Sequence, residues 1–197
     1  MSSSRLLAAA LLAALAACAP SQPGETTRPG EAKRSGAQPL AGEIVRAGCR
    51  QGQCSWLRII AADPVGTPDE GELRRITVRR GVSLHQGGGD FPTDPAGVAI
   101  EWEEKDQAEY AFCSVRRPAY AFPGDDGGLV VHFLDLFQLS GYQYPSAALY
   151  MAFCHRRLGT GRAAEPAEPE ALRALGYKPG TRSEQIEAEG PDVMTRF

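Results

Sequence analysis

The sequence predicts an α+β domain, mostly antiparallel β with one helix near residues 146–158, small, single and tied by disulfides. Two observations lead there. Short segments of alternating apolar and polar residues recur between Gly, Pro and Asp breaks. Four cysteines, Cys49, Cys54, Cys113 and Cys154, fall inside that patterned region.

The pattern occupies residues 41–160. Glu43 to Ala47 reads as a short strand. Cys54 to Ala62 (CSWLRIIAA) is apolar on both faces, which suits a central strand, with Asp63-Pro64 and Thr67-Pro68-Asp69 ending it. From Leu73 to Arg80, Ile76 and Val78 point one way and Arg75, Thr77 and Arg79 the other. Gly81 to Gly97 reads as an irregular loop. It holds Gly87-Gly88-Gly89 but no GK[ST] and no strand–loop–helix frame, so phosphate cradling is not indicated.

Val98 to Glu104 alternates most clearly, with Val98, Ile100 and Trp102 inward and Glu101 and Glu103 on a solvated face. Glu109 to Val115, Ala119 to Phe122 and Leu129 to Leu136 follow as strands. Asp125-Asp126-Gly127-Gly128 is the hairpin-like turn between the last two. Pro145 suits a first helical position and Gly159 a C-terminal stop, which favours helix between them. Residues 161–197 form a polar tail with two possible short helices. The first is Pro169 to Leu175; the second begins at the capping box Thr181-Arg182-Ser183-Glu184.

The chain's start differs in kind. Arg5 precedes Leu6 to Ala17, twelve residues of Leu and Ala only. A run of that length suits a signal-peptide core and is too short to span a bilayer, which takes about 20 residues. Leu15-Ala16-Ala17-Cys18 closes the run and resembles the lipobox of bacterial lipoproteins. The resemblance implies a signal peptide over 1–17 and a lipidated Cys18 as the first mature residue. Ala19, where an Asp would mark inner-membrane retention, implies the outer membrane, facing the periplasm. Residues 18–40 then read as a lipid-anchored, disordered Pro/Gly-rich tether.

Removing residues 1–17 removes one positive charge, Arg5, so the formal charge moves from −3 to −4. A mildly acidic chain does not suit nucleic acid. Five cysteines less Cys18 leave four, which in an oxidising compartment read as two disulfides. The favoured pairing is Cys49–Cys54, across the turn-like Arg50-Gln51-Gly52-Gln53, and Cys113–Cys154. Zinc held by these cysteines and His155 is the weaker reading, since only one closely spaced Cys pair exists. No metal or cofactor is expected.

No catalytic motif is present: G-x-S-x-G, H-E-x-x-H and S-x-x-K are all missing. His132, inside an apolar strand, reads as a satisfied core histidine. Four arginine doublets stand out: Arg74-Arg75, Arg79-Arg80, Arg116-Arg117 and Arg156-Arg157. A Cys113–Cys154 bond would draw the last two together, which makes Arg116, Arg117, Arg156 and Arg157 a candidate site for an anionic ligand. The expectation is an envelope lipoprotein that binds an acidic protein or polymer without catalysing a reaction. An enzyme acting on envelope polymers and a purely structural lipoprotein are the alternatives.

Overall fold

A computed structural model describes residues 40–85, 90–159 and 163–196. The signal peptide, Cys18 and nearly all of the tether expected from the sequence lie outside these residues.

The described chain forms one antiparallel sheet that packs a helix. In chain order the elements are β1 (Ile44–Arg50), β2 (Gln53–Gly66), β3 (Glu72–Leu84), β4 (Glu101–Trp102), β5 (Gln107–Cys113), β6 (Ala119–Pro123), β7 (Leu129–Phe133), α1 (Tyr144–His155), α2 (Pro169–Ala174) and β8 (Glu184–Ala188). A 3₁₀ turn, Pro191–Met194, follows. The spatial order is β1-β2-β3-β5-β6-β7-β8, with β4 added to β3. Every pairing between these strands is antiparallel. The expected fold class is therefore the one observed, two disulfides included.

Alternation sorts the side chains onto two faces, and both are covered. Leu57, Ile59, Ile76, Val78, Ala111 and Tyr120 share a buried cluster with α1. Leu73, Phe112, Ala119, Ala121, Val131 and Phe133 form a second cluster with Met194 of the C-terminal turn. On β2, Leu57 and Ile59 are buried on one face and Cys54 and Trp56 on the other, while Ile60 is exposed. In α1, every residue from Ser146 to Phe153 is buried, so the helix lies inside the domain and presents no solvated stripe.

The β1–β2 hairpin closes on Gln51 and Gly52, at φ 52° and 79°. Both residues are left-handed, as a two-residue turn that matches strand twist requires. Cys49 and Cys54 are register partners just behind that turn, with Cα atoms 4.0 Å apart. Cys113 on β5 bonds Cys154 on α1, Cα to Cα 5.4 Å, and ties the sheet to its helix.

Several boundaries differ from the sequence reading. β2 runs past Asp63-Pro64 to Gly66, accommodating the proline by a register shift between Pro64 and Gly66. β3 continues through Gly81 to Leu84, so part of the expected loop is strand. The strand expected over Val98–Glu104 shrinks to Glu101–Trp102. β5 already holds the flank of β3 from Glu72 to Val78, and of the stretch beyond it β4 pairs Gly81 and Val82. Gly81 is needed there. A Cβ on it would lie 2.6 Å from the Trp102 ring and 2.7 Å from Ile100.

α1 spans 144–155 where 146–158 was expected. It stops at Arg156, which is left-handed at φ 53°, three residues before Gly159. Arg74 donates to the Phe153 carbonyl at 2.7 Å and satisfies the helix end from a neighbouring strand. In the tail, α2 forms where expected, but the second expected helix is strand β8. The edge of β7 offers residues 184–188 five paired positions, and that pairing overrides the local capping signal.

Candidate functional site

A cleft of about 530 Å³ opens between the disulfide end of the β1–β2 hairpin, the inner face of the sheet and the first turns of α1. Arg50 and Ser55 come from the hairpin, Arg80 from β3, Tyr120 and Phe122 from β6, and His132 from β7. Tyr142, Pro145, Ser146 and Leu149 come from α1 and its approach. The size falls within the usual range for small-molecule sites.

Strand parity builds the cleft. Ile76 and Val78 pack on α1, so Arg80, two residues further along the same face, reaches the end of the packed region. Ser55, Tyr120, Phe122 and His132 reach it by the same alternation on their own strands.

Behind the wall lies a fully buried carboxylate. Glu109 on β5 is 0 % exposed and takes charge-assisted bonds from Arg80 and Tyr120. Burial pushes the Glu109 carboxyl above the usual carboxylate range, against the pull of Arg80 and the Tyr120 hydroxyl. For Arg80 burial is the largest single influence and acts downward, but the Glu109 charge and hydrogen bond, together with Tyr120 and Glu103, outweigh it and hold the guanidinium above its ordinary value. The Tyr120 hydroxyl, buried and facing that carboxylate, is pushed well up and stays protonated.

His132 is 3 % exposed and satisfied at both nitrogens. Nε2 lies 2.9 Å from Gln185 Oε1, and Nδ1 lies 2.8 Å from Ser146 Oγ. Burial lowers its pKa, so the ring is neutral. A Ser–His contact invites comparison with a nucleophile and its base. Here the far nitrogen faces a neutral amide rather than a carboxylate, so no charge supports an imidazolium. The contact matches the core-histidine reading and pins β7 to α1.

A second polar chain lies outside the cleft. Tyr150 Oη donates to Ser114 O at 3.1 Å and lies 2.7 Å from Tyr177 Oη, which is 2.6 Å from His155 Nε2. Each tyrosine has one proton. Tyr150 commits its own to Ser114, so Tyr177 donates to Tyr150 and His155 Nε2–H donates to Tyr177. Burial, with Arg74 and Arg157 nearby, lowers the His155 pKa to about 4. Among the described residues no group of three or more His, Cys, Asp or Glu is arranged to hold a metal ion.

The arginine doublets are placed differently from one another. Arg74 pairs with Glu72, Arg79 with Asp106 and Arg80 with Glu109. Arg116 meets Glu70 at 2.7 Å, and Arg156 meets Glu43 at 3.4 Å. Arg117 donates to the Arg196 carbonyl at 3.2 Å and lies over the Phe133 ring. Arg157 is exposed beyond the end of α1. The Cys113–Cys154 bond forms, but the guanidinium groups of Arg116, Arg117 and Arg156 turn to different neighbours. Arg50 and Arg80 instead share one cleft. Sequence reasoning missed Arg50, Phe122 and Tyr142 as site residues, and it gave Glu109 no role beyond the start of a strand. No local pattern marks them, since they come from separate strands and loops.

Comparison of the chain with protein-family models, with curated proteins and with solved structures finds no match.

Proposed function

We propose that the mature chain is an outer-membrane-anchored periplasmic lipoprotein, acylated at Cys18, that works as a non-enzymatic binding module through the cleft. The observation that carries this reading is the make-up of the cleft wall. Arg50, Arg80, Phe122, Tyr142 and Leu149 line it and, among the described residues, no Asp or Glu does, in a chain whose formal charge is −3. The polar groups behind the wall already satisfy one another, which suits a preformed receptor more than a reacting centre.

The Leu15–Cys18 lipobox supports the anchor. Two disulfides, Cys49–Cys54 and Cys113–Cys154, suit an oxidising compartment. Two acyl chains, each contributing about 0.8 kcal/mol per buried CH₂, would hold the protein stably. The cleft is preferred over the Arg116 and Arg156 surface because both of those guanidinium groups already meet carboxylates. Partners are thus the membrane, through the anchor, and an acidic envelope component.

One preparation tests both halves. Protein extracted from its native envelope is denatured, and released small molecules are identified by mass spectrometry, for the wild type and for Ser55→Trp. The wild type should release a ligand that Ser55→Trp, with its indole in the cleft, does not. Equal recovery from both, or none from either, contradicts the cleft. Cys18→Ser should leave the membrane fraction; retention there at the mature mass contradicts the anchor.

A further inference from the structure

We infer that the cleft takes a small amphipathic anion: one carboxylate, sulfonate or phosphate head on an aromatic or branched apolar body. The inference rests on the binding reading above and names the ligand chemistry that reading leaves open.

Two cations serve different ends. Arg80 is already balanced by Glu109, so it offers N–H donors and little net charge. Arg50 is exposed at the end of β1, meets no carboxylate among the described residues, and supplies the uncompensated charge at the cleft. α1 adds to it. Tyr142, Pro145 and Ser146 bring the helix's N-terminal turn to the wall, and the positive end of the dipole favours an anion there. With no carboxylate among the described residues of the wall, a cationic ligand would find no counter-charge there.

Apart from Gln53, Ser55 and Ser146, the remaining wall is mostly apolar and aromatic. Phe122 stands edge-on to His132 with ring centroids 5.3 Å apart, and His132 stands edge-on to Tyr142 at 5.4 Å. This row of three rings, with Leu149, suits a flat or branched hydrocarbon body. The neutral His132 fits that apolar side. A polyanion is a poor match for a single uncompensated charge.

Two dyes of one skeleton test this. 1-Anilinonaphthalene-8-sulfonate and N-phenyl-1-naphthylamine share the same aromatic body, and only the first carries a sulfonate. Fluorescence titrations use the full chain carrying Cys18→Ser, in low and high salt. The sulfonate should bind at least tenfold tighter than the neutral dye at low salt, with the gap narrowing as salt rises. Arg50→Gln should weaken the sulfonate several-fold and leave the neutral dye unchanged. Ser55→Trp should weaken both, with unchanged near-UV circular dichroism showing that the variant is folded. Tyr142→Ala, altering an exposed ring at the cleft, serves where it is not, and should also weaken both. Equal affinity of the two dyes, with no effect of Arg50→Gln, overturns the anionic class while leaving the binding reading intact. Binding of neither dye overturns both.

Discussion

Ser146 on α1 lies 2.8 Å from His132 on β7, and this bond fastens the buried helix to the sheet at the wall of the cleft. With Gln185 Oε1 accepting from Nε2–H, the hydroxyl donates to Nδ1. Ser146→Ala leaves a buried nitrogen without its donor, which typically costs about 1–3 kcal/mol. Denaturant melts should show that loss with an unchanged m-value. A variant as stable as the wild type would mean that the pin contributes nothing.

The Arg80–Glu109–Tyr120 group should respond unequally to its parts. Tyr120→Phe removes one hydrogen bond to a buried carboxylate and should destabilise by about 1–3 kcal/mol. Arg80→Met removes the counter-charge and should destabilise by about 3–5 kcal/mol. Adding Glu109→Met to Arg80→Met should recover most of that loss, because no uncompensated charge remains. If the double variant is no better than Arg80→Met, the cost lies in packing and the electrostatic account of this group is wrong.

His155 gives the domain a predictable acid response. Its folded pKa, about 4, lies below the ordinary 6.5, so the unfolded chain binds more protons between these values. The stability that depends on a neutral His155 is fully present above about pH 6.5 and is lost as pH falls toward about 4. His155→Gln keeps a donor for Tyr177 but cannot charge. Between pH 6.5 and 4 the wild-type melting temperature should therefore fall further than that of His155→Gln. Parallel curves would place the acid sensitivity in other groups.

The two disulfides should differ in worth. Cys113–Cys154 closes a span of 41 residues and Cys49–Cys54 a span of 5. In the loop-entropy model the first contributes about 4 kcal/mol and the second about 2. Paired Cys→Ser variants, compared by chemical unfolding, should fall in that order. The reverse order would show that the hairpin bridge does more than restrain the unfolded chain.

Much of this fold is legible locally. Ile76 and Val78 announce the inner face of β3, Asp125 to Gly128 the β6–β7 turn, and an even set of cysteines the two bridges. The errors fall where a distant partner decides. Glu184 to Ala188 carries a helix-start signal but is drawn into the sheet by β7. Arg156 ends α1 before any glycine, with Arg74 of another strand satisfying the Phe153 carbonyl. The cleft is the extreme case, since Arg50, Arg80, Phe122, His132 and Leu149 meet only after five elements have paired. An arginine doublet is visible in sequence; which member faces a carboxylate and which a cleft is not.

The central claim is that the cleft is where this protein binds. Backbone amide NMR of the isotope-labelled Cys18→Ser chain, titrated with 1-anilinonaphthalene-8-sulfonate, tests it most directly. The account predicts saturable shift changes centred on Ser55, Arg80, Phe122, His132, Tyr142 and Leu149, lost in Ser55→Trp. Changes centred on Arg116 and Arg157 instead, with the cleft residues unmoved, would contradict it.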